Sequence, residues 1–173
     1  MKTKQILSIM HIVAWILFIG LCIKVGAFII SFFTSLFVND YAVQNIYLGL
    51  DFSRLYNFSK LHYIITVSLI ILIASLKANL FYLLINVFRK VDFNSPFTEP
   101  VAQLLSKINK VVLYTALIAL LASGYSAWLH QQTFFYPYNW GAQSLLFMAG
   151  VVFIVALLFK RAVEIQSEND LTI

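Results

Sequence analysis

Four long apolar runs dominate the chain, and the few polar residues inside them recur at helical spacing. The first, residues 6–38, would be about 50 Å long as a helix against a hydrocarbon core of about 30 Å, so it must tilt or protrude. Within it Gly20, Lys24, Ala27, Ser31 and Ser35 share one face, the small and polar stripe that a membrane helix turns to its neighbours. In the second run, residues 60–88, Ser68, Ser75, Asn79, Tyr82 and Asn86 fall on one side. That side is expected to look into a bundle, with Lys77 almost opposite. The third run, residues 98–129, is amphipathic at first and fully apolar only from Val111 to Trp128, with a small-residue stripe at Thr115, Ala116, Ala119 and Ser123. The fourth, residues 140–166, repeats Ala142, Ala149 and Ala156 every seventh residue, a seam for close helix contact. Leu80, Leu83, Leu84 and Val87 are expected to pack on Val101, Leu104, Leu105 and Ile108, with the second and third helices extending beyond the membrane as an antiparallel pair.

The interruptions between the runs differ in kind. Residues 39–59 mix Asp40, Asp51 and Arg54 with Tyr41, Tyr47 and Tyr56, which suits a compact segment at the headgroup level; residues 46–52 fit either strand or helix. Asn57 or Ser59 can cap the helix that follows. The turn at residues 89–97 is charged and carries Pro96, after which Thr98, Glu99 and Pro100 combine an N-cap acceptor, a favourable negative charge and a fixed φ. Leu129 to Asn139 is uncharged and aromatic around Pro137, the composition of a short interfacial connection. Lys160-Arg161 marks an exit from the membrane, followed by an acidic tail whose last part is residues 167–173.

Composition settles the class. With 61% hydrophobic and 11% charged residues the chain is too apolar to present a solvated surface. The reading is an all-α integral membrane protein, one domain over residues 1–173, with four transmembrane helices in an up-down bundle. The net charge of +5 does not point to nucleic acid, because the basic residues stand at the ends of the runs. Lys2, Lys4, Arg89, Lys90, Lys107, Lys110, Lys160 and Arg161 lie on one side, with Arg54 and Lys60 on the other. Eight against two places both termini in the cytoplasm by the positive-inside rule. The first run is too long for a signal peptide and has no small-residue cleavage site, so it is expected to stay as a helix. Cys22 has no partner for a disulfide and reads as a small core residue.

No catalytic constellation is present, and the sequence is not read as that of an enzyme or a cofactor carrier. His11 lies near the inner end of the first run and His62 and His130 at outer ends, so no intramembrane haem can use His11 with either of the others, and no metal-ligand spacing occurs. The spans contain no interior Asp or Glu, which argues against a proton-coupled carrier. Three polar residues inside the spans stand out: Lys24, Asn79 and Asn86. Lys24 is read as either snorkelling or pairing with Asp51, less readily with Asp40, and Lys77 as snorkelling inward along an apolar face. Arg89, Lys90, Lys107 and Lys110 fit anionic headgroups as well as topology. The polar stripe of the second run fits helix packing or, in a homo-oligomer, a pore lining.

The turn Asn94-Ser95-Pro96-Phe97-Thr98-Glu99, the following Leu104-Leu105-Ser106-Lys107-Ile108, and the ending from Phe159-Lys160-Arg161-Ala162-Val163-Glu164 to Asn169-Asp170-Leu171-Thr172-Ile173 resemble the bacterial membrane family called domain of unknown function 2975. The chain departs from that pattern in having Ser95 inserted before Pro96 and Ala162 where glycine is usual. Members are often encoded beside a small helix-turn-helix regulator of the Cro/C1 type. The resemblance therefore implies a protein of the bacterial cytoplasmic membrane that partners a small transcription regulator, with no established enzymatic activity. Its candidate partner-binding residues are Arg89, Lys90, Pro96 and Phe97 in the turn, and Glu164, Glu168, Asn169, Asp170 and Leu171 in the tail. A small-solute or ion permease component is the alternative function.

Overall fold

The computed structural model describes the backbone of residues 2–91, 97–133 and 138–170, and the side chains of these except residues 2–4, 133, 169 and 170. The apolar runs become the helices α1 (Lys2–Phe37), α3 (Lys60–Lys90), α4 (Glu99–Thr133) and α5 (Ala142–Asp170), each long and apolar enough to cross a membrane. A short α2 (Ser53–Phe58) follows a 3₁₀ turn at Asp40–Asn45, and no strand occurs among the described residues. Residues 46–52, open to either reading from sequence, are an irregular turn with left-handed Leu48 (φ 46°) and Gly49 (φ 84°) at its tip. The last helix continues to Asp170, four residues past the 166 read from sequence.

The helices alternate in direction, so the start of α1 and the end of α5 lie at one end, here the terminal end, and residues 38–59 at the far end. Their packing order is α1, α3, α4, α5: each touches the next, and among the described residues α1 makes no close backbone approach to α4 or α5, nor α3 to α5. The up-down bundle is therefore a curved row. Small residues permit the closest seam, where Thr115, Ala116 and Ala119 of α4 are wholly buried and Ala142, Ala149 and Ala156 of α5 are nearly so. In a bilayer this close packing replaces the hydrophobic drive that water would supply. The expected α3–α4 contact is present, with Leu80, Leu83 and Val87 in one apolar cluster with Val101 and Ile108. Hydroxyls within the spans bond to preceding carbonyls, as in Thr66 to His62 (2.8 Å) and Thr115 to Val111 (2.7 Å), which satisfies them where no water is available.

Helix starts follow the expected positions through backbone rather than side chains. Ser59 stands at the N-cap of α3 without a side-chain cap bond, its carbonyl accepting from Tyr63, and the Thr98 carbonyl accepts from Val101 and Ala102. At the far end Val43, Ile46, Phe52 and Leu55 are at most 1% exposed. They close the α1–α3 seam around Phe28 and Tyr63, held by Asn39 accepting from the Tyr41 amide and Asp51 from the Ser53 amide.

The row arrangement keeps most of one facial assignment and corrects another. Of the α1 stripe only Gly20 is exposed, while Lys24, Ala27 and Ser31 are half-buried and Ser35 is buried. On α3, Ser68, Ser75, Asn79 and Tyr82 are exposed and Asn86 is half-buried. With α1 and α4 as its only long neighbours among the described residues, α3 turns Ser68, Ser75 and Asn79 out of the row rather than into a bundle, while Tyr82 borders α1 with its ring 6.0 Å from that of Phe18. Asn79→Leu is accordingly expected to change stability by no more than about 0.5 kcal/mol, or to raise it by removing an amide from the membrane. Thermal melting of the purified variant checks this; a drop of several degrees would place a neighbour against Asn79.

Candidate functional site

Two groups of chemically capable residues emerge, one at the terminal end and one near mid-span. At the terminal end α3 finishes on exposed Arg89 and Lys90, and the Arg89 guanidinium lies 5.7 Å from the Trp15 ring centre on α1. Such a contact over an aromatic face contributes about 0.5–1 kcal/mol. Phe97, just before α4, meets Phe159 of α5 with ring centres 5.2 Å apart. From that contact α5 runs on through Lys160 to Asp170, so about 16 Å of helix continues past the start of α4. Along it Glu164 pairs with Arg161 at 2.9 Å, one turn back in the same helix, rather than with Lys107 or Lys110. Both partners are substantially exposed, and such a pair adds little stability. Ile165 is 59% exposed, an apolar side chain beyond the charged exit.

Between the start of α4 and α5 lies a pocket of about 350 Å³ bounded by Glu99, Gln103, Ser106, Lys107, Lys110 and Lys160. Glu99 accepts from Gln103 at 3.1 Å. The pocket thus gathers three ammonium groups and one carboxylate, a net basic surface suited to acidic partners or headgroups. Of the residues expected to bind a partner, Arg89, Lys90, Phe97, Glu164 and Glu168 all lie at this end. Asn169 and Asp170 belong to the last turn of α5, and Pro96 and Leu171 lie outside the described residues.

Near mid-span the structure removes the ion-pair reading of Lys24 and reverses the direction expected for Lys77. Lys24 forms no ion pair with Asp40 or Asp51: Asp40 accepts from the Tyr56 hydroxyl at 2.9 Å, and Asp51 serves Ser53. The Lys24 ammonium lies instead 5.9 Å from the Phe28 ring centre and 5.7 Å from that of Tyr47. Lys77 does not snorkel inward. Its ammonium donates to the Trp140 carbonyl at 3.4 Å. A helical side chain leans toward its own N-terminus, which in α3 is the far end, so this direction follows from helix geometry.

That contact also relocates Trp140. The sequence suggests an interfacial connection between α4 and α5, but Tyr138 to Ala142 lie beside Leu120, Ser123 and Ser126 of α4. Ser126 and Leu120 lie 7 and 13 residues before Thr133, about 10 and 20 Å below the end of α4, so Tyr138 to Gly141 sit within the bundle before α5 begins. Aromatic-rich composition was the only signal, and it fits a headgroup level and a buried aromatic contact equally well; the left-handed Gly141 (φ 69°) after Trp140 was the residue that could have marked the sharp entry.

No curated protein and no solved structure matches the chain. A family model does, over residues 50–173, a span that takes in α2 to α5 and the whole terminal-end surface except α1. The match thus takes in three of the four spans with the motif-bearing turn and tail, and the chain belongs to the family described as Protein of unknown function (DUF2975).

Proposed function

We propose that the protein is a regulatory membrane partner of a small cytoplasmic helix-turn-helix transcription regulator. The observation that carries this reading is α5 itself, which stays helical past Lys160-Arg161 and presents Ile165 with Glu164 and Glu168 beyond the level of Phe97. A chain that only needed to stop after its last span has no use for an ordered helix with an apolar residue there. Basic groups of the neighbouring pocket add a second surface of opposite charge, so a docking regulator meets both signs at one end. The excess of Lys and Arg at this end supports a cytoplasmic position for both termini in a bacterial cell membrane. Recruitment without direct DNA contact by the membrane protein is the mode this arrangement suits.

The alternative, a small-solute or ion permease component, has one observation on its side, the polar space at mid-span between α4 and α5. Two measurements on the intact protein separate the readings. Co-expression with a small helix-turn-helix regulator of the Cro/C1 type is expected to carry that regulator into the membrane fraction, while reconstituted vesicles show no protein-dependent solute flux. Flux without recruitment would reverse the choice.

A further inference from the structure

Where α4 turns fully apolar at Val111 and α5 leaves the membrane at Lys160, the two antiparallel helices bound one amphipathic groove. Its outer part is the pocket of about 350 Å³ that gathers Lys107, Lys110 and Lys160. A second hollow of about 200 Å³ adjoins it, shares Ser106, Lys110 and Lys160, and continues along Phe153, Ala156 and Leu157. Phe153 stands two helical turns before Lys160, so the apolar part reaches about 10 Å into the span. Phe153 and Leu157 are half exposed, and the buried Ala156 forms the floor where the helices touch.

The polar groups of this groove are open. Among the described residues none of the three ammonium groups has an ion pair or a hydrogen bond, and neither does the side chain of Ser106 or Asn109. The one carboxylate of the pocket, Glu99, is engaged by Gln103. Three cations against one anion at the headgroup level attract a phosphate, and a basic pocket between membrane helices holds an anionic headgroup in place. Of the four basic residues that fit headgroups by sequence, only Lys107 and Lys110 line it; Arg89 lies over Trp15 on α1. Below the lysines the occupant is set by position. Among the described residues α5 closes the row with α4 as its one helical neighbour, so in a bilayer lipid tails cover Phe153 and Leu157. An acyl chain is therefore present without recruitment, and the lysines decide which headgroup it carries.

We propose that the groove between α4 and α5 at the terminal end is a selective site for one anionic phospholipid, its phosphate held by Lys107, Lys110 and Lys160 and an acyl chain laid along Phe153 and Leu157. The site does not rest on the regulator reading, whose contacts Glu164, Ile165 and Glu168 lie beyond Lys160 and outside the groove. Another groove, of about 370 Å³ among Leu84, Ile108 and Val152, has a wholly apolar lining. It takes the chain of any phospholipid and supplies the background against which selectivity is read.

The test titrates purified full-length protein in an uncharged detergent with dioleoyl phosphatidylglycerol or dioleoyl phosphatidylcholine and counts bound lipids by native mass spectrometry. One phosphatidylglycerol is expected to bind saturably, about tenfold tighter than phosphatidylcholine. Lys107→Gln with Lys110→Gln is expected to bring the two lipids within about twofold of each other. Lys160→Gln, expected to weaken the preference about threefold, gives the same comparison if the double variant does not accumulate. Arg89→Gln with Lys90→Gln is expected to leave the preference intact. An excess of glycerol 3-phosphate is expected to leave phosphatidylglycerol bound, because the headgroup alone makes no contact with Phe153 and Leu157. Equal affinity for the two lipids overturns the proposal, as does a preference that survives loss of the three lysines or falls as far with Arg89 and Lys90. Displacement by glycerol 3-phosphate would assign the pocket to a soluble phosphate and overturn the lipid as its occupant.

Discussion

Tyr63→Ala is expected to destabilise the protein by about 3–5 kcal/mol, the range for removing a large buried aromatic side chain, whereas Tyr63→Phe is expected to cost only about 1 kcal/mol. Tyr63 is wholly buried at the start of α3 and has the rings of Phe32, Phe52 and Tyr56 around it. Its hydroxyl lies 2.5 Å from that of Ser35. Ser35 gives its own proton to the Phe32 carbonyl at 2.7 Å, so Tyr63 is the donor in the pair. One side chain thus ties α1, α2 and the turn before α2 to α3. Thermal melting of the purified variants measures both effects. An Ala variant that melts with the native protein, or a Phe variant as damaged as Ala, would contradict the role assigned to the ring.

The second large effect separates two tryptophans that composition treats alike. Trp140→Ala is expected to cost about 3–5 kcal/mol and Trp128→Ala less than about 1 kcal/mol, because Trp140 is 2% exposed within the bundle and Trp128 is 46% exposed near the end of α4. Gly141→Ala should add about 1–2 kcal/mol of its own, since φ is 69° there and the new methyl group approaches the Lys77 ammonium. The same melting assay reads all three. Equal losses for the two tryptophans would return residues 138–141 to the membrane surface.

How far the sequence could be read depended on what its signals report. Run lengths and helical spacing report existence of helices, and these emerge where expected, down to the α4–α5 alanine seam at Ala142, Ala149 and Ala156. Which face of a helix meets which neighbour depends on the order of helices in the row, and spacing is silent on that. Ser68, Ser75 and Asn79 were therefore placed on the wrong side: a polar stripe within a single helix looks the same whether a fourth helix closes over it or not. Depth was misjudged for a similar reason. Runs longer than the bilayer slide past one another, and Lys77, expected to snorkel inward, ends with its ammonium on the Trp140 carbonyl. The descent of Trp140 depends on tertiary contacts with Leu120 and Ser123 that no local pattern encodes. The terminal-end residues were legible as a group because charge and motif mark the end of a span regardless of packing.

Those terminal-end residues also bear the main functional claim, that the ordered continuation of α5 docks a cytoplasmic regulator. The most direct measurement compares the full chain with one ending at Val163, each co-expressed with a small helix-turn-helix regulator of the Cro/C1 type, and quantifies that regulator in the membrane fraction. Both chains are expected to insert equally, because the spans end before Lys160-Arg161, and the shorter one to retain about tenfold less regulator. Equal recruitment by the two chains would contradict the claim and move the docking surface to the turn at residues 89–97.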